Sequence, residues 1–422
     1  MSARRPHLLL VSYFYPPTRD TGAQRPAAMA KWLARLGWDV TVLTTTAFGG
    51  EDEASAGEDG IRVIRSYDLQ TMRARMAGHD RVDSLFDSDS YSGKPHPLSK
   101  VIVPEPLAVA WAPFARRAAL KAHQDLKFDA VLTTSPPESA HAIGATLQRK
   151  GVRWVADIRD AWTYEPLRPA FPTKAQRKLD ERLERRRLGA ADAVVCVSGP
   201  AAADLRERGV ADPAVIANAW DPDSDPGADA VAAADGLLDP DRVSLLYTGR
   251  FGSYGRDPGA LAWALEELAK DSPEEASRLE LAVAGPLRPD ERAMFEEAAA
   301  GAEELRVTLL GSLERETSLA LQRQADALLL LAQPARSQLV NFKLFEYLAA
   351  GTPILALAAG TEAGRIASDV AISPIVRADD PEAIADALGA LVRGELRGPD
   401  EGASARYSYP AAAEAMAEVL RG

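Results

Sequence analysis

The sequence predicts an α/β protein built from two doubly wound domains. Three observations carry this reading. Short β-branched or leucine-rich runs alternate with helix-length amphipathic segments, the pattern of βαβ units on a parallel sheet. The alternation stops near residue 221 and restarts near residue 242. The chain's 422 residues also exceed what one ordinary domain holds.

In chain order, the strands of the first half are Leu8 to Phe14, Asp39 to Thr44, Ile61 to Arg65, Ala130 to Thr134, Arg153 to Ile158 and Ala193 to Val197. The apolar opening from His7 to Tyr15 is too short to span a bilayer. It meets Pro16-Pro17 with no small-residue cleavage site behind it, so it reads as a buried strand and not a signal peptide. Between Ser66 and Lys127 the rhythm is less regular, and His79 to Pro97 has the composition of a long loop. Asp221 to Asp241 is almost entirely Asp, Pro, Ala and Gly, which reads as a linker. Strands resume at Val243 to Tyr247, Leu279 to Ala284, Arg306 to Leu310, Ala327 to Leu331 and Ile354 to Leu357. The expected division is therefore an N-terminal domain over residues 1–220, a linker over 221–241 and a C-terminal domain over 242–405. A last helix over 406–422 is expected to pack back on the first domain. Open α/β sheets bind ligands beyond the carboxyl ends of their strands, so a cleft between two such domains is the expected site.

Composition narrows the function. With 46% hydrophobic and 26% charged residues, each half can bury a core, which excludes a disordered chain. A net charge of -12 without a long basic tract argues against a nucleic-acid partner. The single cysteine, Cys196, excludes an internal disulfide framework and a cysteine metal site, and fits a reducing cytoplasm. One stretch runs against the overall charge. From Phe171 to Gly189, seven basic residues accompany three acidic ones. It reads first as a solvated helix face, with weak peripheral contact to an anionic membrane surface or lipid-linked acceptor as the sharper alternative, because the acids interrupt the basic face.

A doubly wound sheet invites a nucleotide, yet neither G-x-G-x-x-G after a strand nor G-x-x-x-x-G-K-[ST] occurs, which demotes dehydrogenase and ATPase readings. Instead, the first strand of the second domain runs into a glycine-rich turn from Tyr247 to Arg256, containing Gly249, Arg250, Gly252 and Arg256. Glycines let the backbone turn tightly, and two arginines six apart can converge on a diphosphate. The stretch from Gln338 to Pro353 frames a short helix, with Asn341 as N-cap, Phe342 in its first turn, Gly351 as its left-handed terminator and Pro353 forbidding continuation. Its amino end offers N–H groups to a phosphate. Lys343 and Glu346 share one face. They are either an ion pair, or a phosphate ligand and a carboxylate that accepts from both ribose hydroxyls.

Two further clusters lie in the first half. Arg159 and Asp160 follow the fifth strand and are expected to face substrate, with a structural Arg-Asp pair as the alternative; Asp157 is expected to be partly buried and paired with an arginine. Ser135 and Glu138 are candidates for acceptor contact, with Gly22 in the first loop. His141 is a weaker candidate, since a lone helical histidine more often packs than reacts. The remaining histidines lack a metal-ligand neighbourhood. No metal and no cofactor is expected, because Arg250, Arg256 and Lys343 already supply cations for a diphosphate.

These segments resemble the family-four group of retaining glycosyltransferases, in the bacterial exopolysaccharide and glycoconjugate type. Gly249-Arg250 with Arg256 matches that family's diphosphate-binding turn, an arginine standing where lysine is usual. Glu346 matches the second of its two glutamates eight residues apart, and the first falls on Gln338. Tyr13 to Pro17, Gly22, Arg25, Leu36 to Leu43, Val195 to Ser198 and Asn218 to Asp221 are similar to its landmarks in the first half, and Arg159-Asp160-Ala161-Trp162 resembles a subgroup element. The resemblance implies a GT-B architecture of two facing Rossmann-like domains with an interdomain cleft. It further implies transfer, with retention, from a nucleotide sugar (UDP-, GDP- or another NDP-sugar) to a hydroxyl of a glycan, glycolipid or small molecule. Donor contacts fall to Gly249, Gly252, Gln338, Asn341, Phe342 and Glu346, and catalytic ones to Arg250, Arg256, Lys343, Arg159 and Asp160. The competing readings are a non-catalytic nucleotide-sugar binder or partner subunit, a phosphorylase, and a nucleotide-sugar epimerase on the same fold.

Overall fold

The computed structural model describes residues 4–18, 20–49, 60–69, 101–163, 171–252, 257–302, 304–333, 340 and 342–422. They form two compact units, Met1–Ala217 together with Tyr409–Gly422, and Asn218–Ser408. The expected loop at His79 to Pro97 lies outside the described residues.

In the first unit, β1 (His7–Val11), β2 (Asp39–Thr45), β3 (Arg62–Ser66), β4 (Ala130–Ser135), β5 (Arg153–Ile158), β6 (Ala193–Cys196) and β7 (Ala214–Val215) form a parallel sheet in the order β3-β2-β1-β4-β5-β6-β7. Strand order reverses beside β1, the switch point at which doubly wound sheets bind ligands. Helices cover both faces of such a sheet, so its strands are apolar runs without alternation; every residue of β4 is buried. Leu9, Val11, Tyr13, Trp111 and Trp154 belong to the core. The C-terminal helix Tyr409–Arg421 packs on helix Gln24–Arg35 and on β5, where Arg153 donates twice to the Val419 carbonyl at 3.2 and 3.0 Å.

Helix Lys174–Leu188 opens with a capping box, the Thr173 hydroxyl accepting from Gln176 N and the Gln176 side chain reaching back. Its charges separate more completely than their order in the chain suggests. Asp180, Glu184 and Leu188, spaced by four, are buried, whereas Lys174, Lys178, Arg182 and Arg186, also spaced by four, are exposed. Asp180 accepts from the Trp162 indole at 2.9 Å; Glu184 accepts from the Thr163 amide at 3.3 Å and from its hydroxyl, with Arg208 at 3.5 Å. Two of the three acids expected to interrupt the basic face are thus spent inside the unit.

In the second unit, β8 (Val243–Thr248), β9 (Leu279–Ala284), β10 (Arg306–Gly311), β11 (Ala327–Leu331), β12 (Ile354–Leu357) and β13 (Ile375–Val376) form a parallel sheet in the order β10-β9-β8-β11-β12-β13. Leu245, Tyr247, Phe251, Leu281, Phe295 and Leu329 belong to its core. The edge strands β7 and β13 escape the sequence reading because two residues show no period. Residues 221–241 also differ from a bare linker. Pro222–Ser224 is a 3-10 turn and Ala228–Ala234 a helix that buries Ala230 and Ala234 against helix Arg315–Gln324. Alanine is the strongest helix former, and a neighbouring surface supplies the burial that such a short helix lacks alone.

Candidate active site

In the second unit the turn that ends β8 meets the helix that carries Lys343. Gly249 turns the chain with φ +106°, a left-handed conformation that favours glycine. Its amide donates to the Ala284 carbonyl at 2.6 Å, and a Cβ on Gly285 would overlap the Gly249 carbonyl, so two glycines let the ends of β8 and β9 meet. Tyr247 donates from its hydroxyl to the Arg250 carbonyl at 2.9 Å and stacks on Phe251 at 3.8 Å, fixing the turn from below.

Helix Phe342–Ala350 is stitched to the same turn. The Thr248 amide donates to the Tyr347 hydroxyl oxygen at 3.2 Å, and burial pushes the Tyr347 phenol well above its ordinary range, so it stays protonated. The helix ends at Gly351 with φ +72°, as the spacing to Pro353 requires. One turn before Tyr347, the Lys343 ammonium lies 4.8 Å from the Tyr247 ring centroid, and a Cβ on Gly249 would overlap it. The first glycine of the turn and the helical lysine, far apart in sequence, therefore occupy one place.

Glu346 takes a different ion-pair partner from the one expected. Its carboxylate pairs with Arg315 at 2.7 Å; the Glu346 side chain is 16% exposed and that of Arg315 50%. Lys343 and Glu346 are thus not paired with each other across the helix face, and Arg315 is a partner that the sequence did not offer. Gly252 is packed by a second unforeseen pair, since a Cβ there would overlap Glu291 Oε1 and the Arg288 guanidinium. Both follow β9, the neighbour of β8, and the available signal was that strand adjacency places the segment after β9 beside the glycine-rich turn. Phe342 opens the helix, partly exposed. Arg256, Gln338 and Asn341 lie outside the described residues.

In the first unit, Asp157 is buried and takes a two-pronged pair from Arg25, Nε to Oδ2 at 3.0 Å and Nη2 to Oδ1 at 2.8 Å; Thr134 donates to Oδ2 at 3.0 Å. The expected buried arginine pair is therefore present. Arg159 departs from the expectation that it faces substrate. It is buried and donates from Nε to Ser135 O at 2.9 Å, from Nη2 to Pro136 O at 3.3 Å and from Nη1 to Gly22 O. Carbonyls at the strand ends bend away from their ladders, and a planar five-donor fork satisfies several of them together. Arg159 thereby joins the loops that follow β1, β4 and β5.

Three acceptor candidates also turn inward. Ser135 is buried and lends its carbonyl to Arg159; Glu138 is buried, with its carbonyl accepting from Arg187 at 3.3 Å. His141 is wholly buried, bonded to the Thr133 hydroxyl at 2.8 Å and stacked 6.1 Å from Trp162. Burial lowers its pKa to about 3, with the Arg187 charge adding to the effect, so it is a neutral core histidine. Asp160 is exposed, and Gly22 is half-buried with its amide donating to the Asp20 carboxylate at 2.6 Å. Among the described residues, no three His, Cys, Asp or Glu side chains gather as a metal site requires.

Residues 21–219 match the model of the glycosyl transferase 4-like domain, and residues 242–393 match that of glycosyl transferases group 1. Solved structures share the fold across the whole chain. Sucrose-phosphate synthase from Thermosynechococcus elongatus is 20% identical with a TM-score of 0.60, the match covering 99% of this chain and 98% of that one. The N-terminal domain of Candida albicans trehalose-6-phosphate phosphatase is 12% identical with a TM-score of 0.64, covering 100% and 97%. Anabaena HepE, in complex with UDP and glucose, is 13% identical with a TM-score of 0.53, covering 99% and 100%. No curated protein sequence matches.

Proposed function

Because this chain is a nucleotide-sugar-dependent glycosyltransferase of the GT-B class, with a glycosyl transferase 4-like domain ahead of a group 1 domain, we propose that Asn218–Ser408 holds the donor at the Gly249 turn and that Met1–Ala217 receives the acceptor. The observation that carries this is the convergence of Lys343 and Gly249. A glycine lets a phosphate approach the backbone, and a lysine over that backbone supplies the charge to keep it there. Arg250 in the same turn, with Arg256, adds the planar forks that suit a diphosphate.

In this reading the main catalytic term is stabilisation of the departing nucleoside diphosphate. Negative charge grows on its bridging oxygen as the bond to the sugar breaks, and fixed cations meet it without reorganisation. Glu346 takes the ribose hydroxyls with the face of its carboxylate that its solvated pair with Arg315 leaves open. The acceptor hydroxyl attacks from the face the leaving group vacates and gives its proton to the departing diphosphate oxygen on that face, which gives retention. Exposed Asp160 and the Gly22 loop are the acceptor-side groups, with Arg159 a positioning residue that joins their loops. No metal is required, because the protein's own cations do its work.

Calorimetry with UDP, GDP and ADP in excess chelator tests the donor site, and product analysis with the matching sugar nucleotides tests transfer. Loss of all binding on chelation refutes the metal-free reading. Donor binding with no transfer or hydrolysis across a broad acceptor panel assigns the chain to binding alone.

A further inference from the structure

We propose that helix Lys174–Leu188 is a docking face for an anionic membrane surface, which the protein meets from the side without crossing it. The observation is the sorting of charge on this helix. Lys174, Arg177, Lys178, Arg182, Arg185 and Arg186 are exposed, and Glu181 is the exposed acid among them. Asp180 and Glu184, which cancel part of this charge on paper, are buried on the Trp162 indole and on Thr163 and Arg208. Burial there turns both carboxylates away from the outer face of the helix, where each is met by donors within the unit. What remains outside is a concentrated basic face on a chain whose net charge is -12.

That contrast also sets orientation. The rest of an acidic protein is repelled by an anionic surface, so this face is the one that approaches. Apolar side chains stand beside the cations. Leu179 is 48% exposed on the same helix, and Val101, 66% exposed, is tied to its first turns by a bond from Gln176 Nε2 to the Val101 carbonyl at 3.3 Å. Lysine and arginine reaching headgroup phosphates while apolar residues enter the acyl boundary is the arrangement of an interfacial helix. A nucleic acid makes no use of exposed Leu179 and Val101. Among the described residues, no helix is long and apolar enough to cross a membrane, so the contact is peripheral.

The test is flotation of the full chain with vesicles of phosphatidylcholine alone and of phosphatidylcholine mixed with phosphatidylglycerol, at low and at physiological salt. Binding is expected to the mixed vesicles, weakening as salt rises, because surface charges are screened within about 8 to 10 Å. Each basic residue near such a surface contributes roughly fivefold to affinity, so Arg182→Glu with Arg186→Glu should lower binding by more than tenfold. Leu179→Asp should lower it further. Nucleotide affinity and melting temperature should stay unchanged, since these side chains point away from the unit. Should the double reversal lower the melting temperature, Lys174→Gln with Lys178→Gln repeats the test on equally exposed positions. The proposal is overturned by any of four results: no binding to mixed vesicles at low salt, equal binding to pure phosphatidylcholine, unchanged binding by charge variants that remain folded, or tighter binding to a DNA duplex than to vesicles.

Discussion

Replacing Glu346 by Gln keeps the shape of the side chain and removes its charge, and the surroundings of Glu346 set what that does. The carboxylate is 16% exposed and bonded at 2.7 Å to Arg315, which is itself 50% exposed. An ion pair open to water on one side contributes under about 1 kcal/mol to stability. For a domain of this size that is a fall in melting temperature of under about 4 °C. The same carboxylate accepting from ribose hydroxyls makes charge-assisted bonds worth about 1.5 to 3 kcal/mol. Nucleoside diphosphate affinity should therefore fall by roughly tenfold to a hundredfold while the fold survives. Calorimetric titration and differential scanning on the same preparation read both quantities. Arg315→Gln is the control, expected to change affinity by less than about fivefold because its pair is solvated. Unchanged affinity in Glu346→Gln removes this carboxylate from the site. Equal losses in the two variants mean that it acts only through Arg315.

Gly249→Ala should lower nucleotide affinity by more than about tenfold in the same titration, since a side chain at φ +106° is strained and its Cβ displaces the Lys343 ammonium; wild-type affinity would show that Lys343 does not bind from there. Asp157→Asn leaves Arg25 buried without its counter-charge, which should cost about 3 to 5 kcal/mol and lower the melting temperature of the first unit by at least about 6 °C; a smaller shift by scanning calorimetry would mean that the Ala217 carbonyl, which accepts from Arg25 Nη1 at 2.9 Å, compensates. His141, with its pKa lowered to about 3 by burial, is neutral in both states at high pH. Below the ordinary value of about 6.5 the unfolded chain takes up a proton that the folded chain refuses, so stability is lost as pH falls through that window, by up to about 1.4 kcal/mol per pH unit. His141→Gln should accordingly flatten the drop in melting temperature between pH 7 and pH 5, and an identical drop in both proteins counts against the buried neutral histidine.

The elements and the kind of chemistry are written along the chain. β5, β9, β11 and β12 fall on the residues expected; β11 and β12 are uninterrupted apolar runs, and β5 and β9 are mainly apolar runs of strand length, which leaves few places to begin or end. Gly351 and Pro353 mark a helix end for reasons of backbone sterics alone. The glycine-rich turn after β8 and the helix carrying Lys343 are legible as elements for the same reason, whereas their meeting at Gly249 is a contact between distant segments. Packing between distant segments sets which side each charged group faces. Arg159 points into strand-end carbonyls, His141 into a tryptophan-lined core, and Asp180 and Glu184 into the unit while Lys178 and Arg182 point out. It also selects Arg315 for Glu346, and Arg288 with Glu291 for Gly252. Backbone preference is settled by a residue and its immediate neighbours, so it can be read along the chain. The free energy of a charge depends on how much water it loses and which donor or acceptor replaces that water, and here those partners come from strands and helices distant in sequence.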